Sequence, residues 1–98
     1  MPLTQPQKRF LRSKAHQLRP VVMLGQHGVT ENVIAELEGA LDAHELVKVR
    51  ISGAEREARH EAIEVLLQRT GAELVQSIGH IAVLFRRNRD RPKVVLPA

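Results

Sequence analysis

Apolar residues in the first part of the chain recur at the spacing of an α-helix. The resulting stripe is sparse and consists of Phe10, Leu11, Ala15 and Leu18. Thr4 is a suitable N-cap, and Gln7 three residues later completes the pattern of a capping box. The spacing therefore predicts a helix from about Thr4 to His16, and the bases between its apolar positions give it a cationic outer side.

Two later apolar segments have the patterns of β-strands. Residues 21–24 form a continuous apolar run, which is typical of a strand that is buried on both faces. Residues 46–52 instead alternate, with valine or isoleucine at the odd positions. Lys48 and Arg50 occupy even positions, so we expect the second strand to present a basic face.

Caps and turn signals predict the remaining elements. Thr30 is a good N-cap, Gly71 is placed to end a helix, and Gly79-His80 is a two-residue hairpin signal. The elements predicted from these signals are two helices, over residues 31–44 and from about Ala54 to Thr70, two strands, over residues 73–78 and 81–85, and a short edge strand within residues 94–97.

The predicted order α-β-α-β-α-β-β indicates a two-layer α/β fold in which the middle strands are joined by helical crossovers. A chain of 98 residues can bury one hydrophobic core but not two. We therefore expect a single domain over residues 1–98, which ends in a basic tail at about residues 87–98.

Composition narrows the classes of function. The chain has no cysteine, which excludes disulfides, thiolate nucleophiles and Cys-containing metal sites. The five histidines show no metal-type spacing and no catalytic constellation can be assembled. We expect no metal, no other cofactor, no small-molecule substrate and no enzyme activity. Because no long apolar run or signal segment is present, we expect a cytoplasmic protein without membrane contact. We also expect it to be a monomer.

The charges are distributed unevenly along the chain. Residues 1–28 carry five bases and no acid, residues 29–85 carry five bases and ten acids, and residues 86–98 carry five bases and one acid. The net charge of +4 therefore conceals two basic ends around an acidic middle. Bases gathered on one surface are typical of proteins that bind polyanions. A solvated surface with a basic tail is the alternative interpretation.

Gly25-Gln26-His27-Gly28 lies between the first predicted strand and the next helix. Glycine adopts positive φ readily and lets a ligand backbone approach closely, and the N–H groups at a helix start favour an anion. KH domains clamp an RNA backbone with a Gly-x-x-Gly loop, so this chemistry is sufficient for RNA. Alone the motif is weak, since tight turns use glycine routinely, and it lacks the lysine of a nucleotide-hydrolysing phosphate loop.

Two blocks of the sequence resemble the CRM domain family, named for chloroplast RNA splicing and ribosome maturation. The first block is Lys14–Glu31 (KAHQLRPVVMLGQHGVTE) and the second is His44–Arg50 (HELVKVR). A chain with one such domain is most similar to the bacterial YhbY members of that family. The resemblance implies a fold related to the C-terminal domain of translation initiation factor three. It also implies RNA binding through the Gly-x-x-Gly loop and association with ribosomal RNA in precursors of the large ribosomal subunit.

The candidate RNA contacts are backbone and basic groups, because the chain has no Tyr or Trp and both Phe residues fall on apolar stripes. The candidate RNA-binding residues are Gly25, Gln26, His27 and Gly28 of the loop, Lys8, Arg9, Arg12, Lys14 and Arg19 before it, and Lys48 and Arg50 on the second strand.

The loop departs from the family in its middle pair, which is often small or basic there, and we hypothesise that His27 takes up a proton against bound phosphate. The basic tail would either add non-specific affinity or form a flexible solubilising end. The alternative function is a protein-interaction module without direct RNA contact, whose acidic helices and basic ends dock a partner protein.

Overall fold

The computed structural model describes residues 2–53 and 55–98. Its elements are α1 (Gln5–Ala15), β1 (Val22–Leu24), α2 (Glu31–His44), β2 (Leu46–Ile51), α3 (Arg56–Thr70), β3 (Glu73–Ile78) and β4 (Ile81–Phe85). The α/β class and the predicted order of these elements are confirmed. Ala54, where we predicted the third helix to start, lies outside the described residues, and the helix begins at Arg56.

Local capping chemistry fixes the start of α1 as predicted. The Gln7 N–H donates to the Thr4 hydroxyl at 3.2 Å, and the Thr4 N–H donates to the Gln7 side chain at 3.0 Å. These reciprocal bonds satisfy two N–H groups that the helix itself leaves without partners. Because α1 ends at Ala15, Leu18 lies beyond it and is 37% exposed, so it does not belong to the buried stripe.

The four strands form one sheet in the order β1-β2-β4-β3, in which β1 is an edge strand. β1 runs parallel to β2, and β4 is antiparallel to both β2 and β3. Val22 and Leu24 are buried against α2, but Met23 between them is 64% exposed. The prediction that this strand is buried on both faces is therefore wrong. Its physical reason is that α1, on the other face of the sheet, packs against β2 and β3.

Helices cover both faces of the sheet. α2 and α3 pack on one face around a core that includes Leu37 and Leu66, whereas α1 packs on the other face around a second core that includes Leu11. Alternate residues of β4 belong to the two cores, as the pleat of a strand requires. The predicted two layers thus describe the sheet with α2 and α3, and α1 adds a third layer.

The segment after β4 forms no strand within residues 94–97, contrary to the prediction. Val94 and Leu96 pack instead against the second core. The backbone N–H groups of Lys93 and Val94 donate to the Glu45 carboxylate at 2.5 and 2.7 Å. The Val94 N–H, at the start of the predicted strand, is thus engaged by a side chain and is not available to a strand ladder.

Candidate nucleic-acid interface

The Gly25–Gly28 loop joins the carboxyl end of β1 to the amino end of α2. The Gly28 N–H donates to the Gly25 carbonyl at 3.0 Å, which closes a tight turn. Gly28 has a φ of +67°, a left-handed backbone that glycine adopts without steric cost. A Cβ added to either glycine would meet no atom within 4 Å, so the surface of the turn is open to a ligand.

The start of α2 adds a positive field beside this turn. Thr30 is the N-cap, and its hydroxyl accepts from the Val33 N–H at 3.2 Å. The other N–H groups of a first helical turn lack acceptors within the helix, and the helix dipole places partial positive charge there. Backbone atoms alone therefore make this end of α2 attractive to an anion.

The end of β2 and the β3–β4 turn lie at the same end of the sheet as the loop. The Ser52 N–H donates to the Leu24 carbonyl at 3.0 Å, which holds the end of β2 beside the end of β1. In the β3–β4 turn, the His80 carbonyl accepts from the Ile51 N–H at 2.7 Å. The His80 ring nitrogen Nδ1 lies 2.9 Å from the Ile51 carbonyl. The loop is thus flanked by hydrogen-bonded backbone on its β2 side.

One ion pair lies next to the loop. Glu31, the first residue of α2, accepts from the guanidinium of Arg69 in the last turn of α3 at 2.8 Å. The hydrogen bond from Arg69, followed by its charge, lowers the pKa of Glu31, and the same contacts raise the pKa of Arg69. Glu31 therefore keeps its negative charge three residues after Gly28, and Arg69 offsets that charge. The sequence pattern had not linked these two residues, which lie 38 positions apart.

The predicted cations do not form one patch. Lys14, Arg19 and Lys48 line a groove near the start of β1, which we call the basic groove, and Lys93 from the C-terminal segment also lines it. The Gly25–Gly28 loop lies at the other end of β1, roughly 10 Å further along the strand. Lys93 was missed as a candidate because the sequence placed it only in a tail.

Other candidates lie on the α1 side of the sheet. Arg12 and Lys48 line a second groove there, and the Lys48 ammonium donates to the Leu18 carbonyl at 3.2 Å. Arg50 is exposed and pairs in register with Met23, two residues before the loop. Lys48 lines both grooves and so connects them.

Lys8 and Arg9 lie on α1 and line neither groove. Arg9 is exposed and Lys8 is half-buried. Neither residue therefore shares a groove with the other candidates.

A family model described as the CRS1 / YhbY (CRM) domain matches residues 3–86 of the chain. The chain belongs to this family. The CRM match spans every element from α1 to β4 and ends at the first residue after β4. The matched residues include the Gly25–Gly28 loop and the Glu31–Arg69 pair. They also include the strand residues that line the two grooves.

Named relatives and a solved structure agree with the CRM assignment. A protein of Haemophilus influenzae named "RNA-binding protein" is 50% identical over 95 residues, which cover 97% of this chain and 95% of the relative. "Probable RNA-binding protein YqeI" of Bacillus subtilis is 40% identical over 95 residues, which cover 97% of this chain and 99% of the relative. The solution structure of a hypothetical protein from Staphylococcus aureus matches with a TM-score of 0.83 and 36% identity, covering 98% of this chain and all of that one.

The basic C-terminal segment is tied to the CRM body. Arg86 donates to Glu38 and Asp42 at 2.8 Å each and to the Thr70 carbonyl at 2.7 Å. Its guanidinium is thus engaged by the acidic face of α2, and we do not include it among the RNA candidates. The Asn88 N–H donates to the Glu45 carboxylate at 2.6 Å. The segment is therefore anchored at several points along residues 86–94, unlike the flexible end that we considered.

Within residues 2–53 and 55–98, no cluster of three or more histidine or acidic side chains is arranged to hold a metal ion. In the same part of the chain, no helix has the length and apolarity needed to span a bilayer.

Proposed function

We propose that this CRM protein binds RNA and that the Gly25–Gly28 loop holds an RNA phosphate. The proposal rests on the geometry of Gly28, a left-handed residue with open space around it, two residues before the N-cap of a 14-residue helix. A phosphate requires close approach to backbone N–H groups and a positive field, and this position offers both. The name of the Haemophilus influenzae relative supports RNA as the polyanion.

The middle of the loop supplies no permanent cation. Gln26 and His27 are both exposed at its tip. Protonation of His27 against bound phosphate remains a prediction, and an NMR titration of its ring with and without RNA would test it. The permanent positive charge must otherwise come from the flanking bases.

The bases on β2 and near the start of β1 offer a path for the RNA backbone that leads away from the loop. Arg50 lies one strand away from the loop, Lys48 lies between the two grooves, and Lys14 and Arg19 lie in the basic groove. An RNA strand that follows this path would place successive phosphates along β1 and β2. Lys8, Arg9 and Arg12 on α1 would meet phosphates that lie further from the loop.

The resemblance to the CRM family leads us to propose ribosomal RNA in precursors of the large ribosomal subunit as the target. We further propose that the protein is a cytoplasmic monomer with one CRM-type domain over residues 1–98. In this proposal the protein acts by binding alone, with no cofactor, no small-molecule substrate and no catalytic step.

Salt dependence of binding tests the proposal. Affinity for a fluorescently labelled single-stranded RNA, measured by anisotropy over a range of KCl concentrations, should fall so that log K decreases by about 0.7 per phosphate contact for each unit of log salt. The Lys14→Ala/Arg19→Ala variant should flatten that slope by about 1.4, because two contacts are lost. Arg56→Ala, at the start of α3, serves as the control and should leave the slope unchanged. Absent or salt-independent binding would favour the protein-interaction module.

Breaking the Glu31–Arg69 pair is expected to strengthen RNA binding, whereas the loss of basic residues weakens it. We expect Glu31→Gln to strengthen RNA binding about two- to fivefold at low salt, because a negative charge beside the phosphate site is removed and Arg69 is freed. Glu64→Gln on the exposed side of α3 makes the same change in net charge and should have a smaller effect. Equal effects of the two variants, measured by the same anisotropy titration, would show that Glu31 acts only through net charge and does not adjoin the phosphate.

A further inference from the structure

A row of side chains crosses all four strands on the part of the sheet that α1 leaves uncovered. Met23 pairs in register with Arg50, Arg50 with Ile81, and Ile81 with Ile78. Residues paired in this way point to the same face of a sheet, and here it is the face on which α1 packs. We call these four residues the open row. With strands about 4.8 Å apart, the open row is roughly 15 Å long.

The two ends of the open row are apolar and exposed. Met23 is 64% exposed and Ile78 is 63% exposed, whereas Ile81 between them is half-buried. Single exposed apolar residues are ordinary on a protein surface, but aligned ones that share a face indicate a binding surface. The opposite end of the same strands is covered, since Phe85 and Leu46 are buried under α1.

Positive charge lies beside the open row and within it. The groove next to it is lined by Arg12, His16 and Lys48 together with Ile78 and Ile81, and no carboxylate is among its described lining residues. Arg50 adds a further cation within the row itself. An apolar surface next to a groove that is lined by bases and by no described carboxylate is complementary to a ligand that has flat apolar faces and a negatively charged backbone.

The open row is also continuous with the phosphate site. Met23 lies two residues before Gly25, which corresponds to roughly 7 Å along the strand. A single RNA strand held at the loop would therefore reach the row within one or two nucleotides. The position of the row next to the phosphate site is expected for an RNA ligand and is not required for a protein ligand. The bases in the adjoining groove also favour a polyanion over a protein of ordinary charge.

We propose that unpaired bases of the bound RNA pack on the open row, while Arg12, Lys48 and Arg50 meet the phosphates between them. This inference rests on the proposed RNA binding at the loop. Four-stranded sheets of RNA-recognition motifs accommodate two or three bases, but they do so through aromatic side chains. This surface has aliphatic side chains in that place, so each base contributes modestly and sequence preference is weak. The functional consequence is a preference for unpaired nucleotides beside the clamped phosphate.

The test compares two RNA strands with the same backbone and different bases. One is an unstructured 12-nucleotide RNA, and the other is the same strand with abasic sites at its central positions, so that the phosphate charge is identical. The wild-type protein should bind the intact strand about five- to tenfold more tightly. The Met23→Thr/Ile78→Thr variant should lose most of this difference and keep the wild-type affinity for the abasic strand. Threonine is suited to strands, and both positions are exposed, so the variant should fold.

A matched control and the contrary outcomes make the test decisive. Val65→Thr changes an apolar residue on α3, on the other face of the sheet, and should retain the full preference for the intact strand. Equal wild-type affinity for the two strands, with normal salt dependence, would overturn the base-packing inference but leave phosphate binding intact. A preference that survives in the Met23→Thr/Ile78→Thr variant would also overturn it, because the bases would then be recognised at another place on the protein. Failure of the wild type to bind either strand would overturn the proposed function, and the inference with it.

Discussion

Replacing Gly28 with aspartate is expected to weaken RNA binding by roughly thirtyfold, or about 2 kcal/mol. The substitution places a carboxylate at the turn where the phosphate is held, within a few ångströms of its charge. The fold should survive, because a Cβ at this position meets no atom within 4 Å and aspartate tolerates the left-handed backbone better than most residues. Anisotropy with a labelled single-stranded RNA would measure the loss, and circular dichroism would confirm that the variant is folded.

Asparagine at the same position separates charge from shape. Gly28→Asn introduces a side chain of nearly the same size and the same tolerance of a φ of +67°, but no charge. We expect it to lose only a small part of the affinity, from hindered approach of the phosphate. If Gly28→Asp and Gly28→Asn bind RNA equally well, the turn does not lie against a phosphate and the assigned role of the loop is wrong.

Local signals predicted the elements that hold the loop in place. The cap at Thr30, the periodicity of α2 and the stop at Gly71 each depend on interactions within about four residues, so they can be read from sequence alone. The pattern also placed Lys48 and Arg50 on one side of β2, where the structure has them. The loop between β1 and α2 follows directly from these elements.

Features that depend on distant residues were not predictable in the same way. A continuous apolar run at residues 21–24 fits a fully covered strand, but the position of β1 at the sheet edge leaves Met23 exposed. The pairing of Arg69 with Glu31 and the arrival of Lys93 in the basic groove require the tertiary fold. The open row likewise exists only once four separate strands are in register.

Glu45 is the clearest example of a residue whose environment depends on distant parts of the chain. By sequence it is one of ten acids in residues 29–85, and nothing in the pattern distinguishes it from the others, yet it is fully buried with 0% exposure. Its backbone ends α2 with a φ of +64°, an unfavourable conformation for a residue with a Cβ. A buried carboxylate in a strained backbone is retained only where its contacts repay both costs. Those contacts are the three N–H donors of the C-terminal segment, from Asn88, Lys93 and Val94.

Replacing Glu45 with glutamine is therefore expected to destabilise the protein by about 2–4 kcal/mol, because hydrogen bonds to a charged acceptor contribute about 1.5–3 kcal/mol each and the amide has only one oxygen to offer. For a domain of this size, that loss lowers the melting temperature by roughly 10–20 °C. Thermal unfolding by circular dichroism would measure it. Hydrogen exchange should become faster at the amides that lose their acceptor, which are either that of Asn88 or those of Lys93 and Val94, since the NH2 group replaces one of the two carboxylate oxygens.

Replacing Glu45 with glycine separates the contribution of the carboxylate to stability from that of the backbone conformation. Glu45→Gly relieves the positive φ but removes all three hydrogen bonds, so we expect it to destabilise the protein despite the relaxed backbone. The Glu64→Gln variant on α3 changes the net charge as Glu45→Gln does and should leave the melting temperature nearly unchanged. A Glu45→Gly protein as stable as the wild type, with its C-terminal amides still protected, would contradict the anchoring role. In the expected case, detachment of the segment also removes Lys93 from the basic groove, and RNA affinity at low salt should fall slightly without any change at the loop.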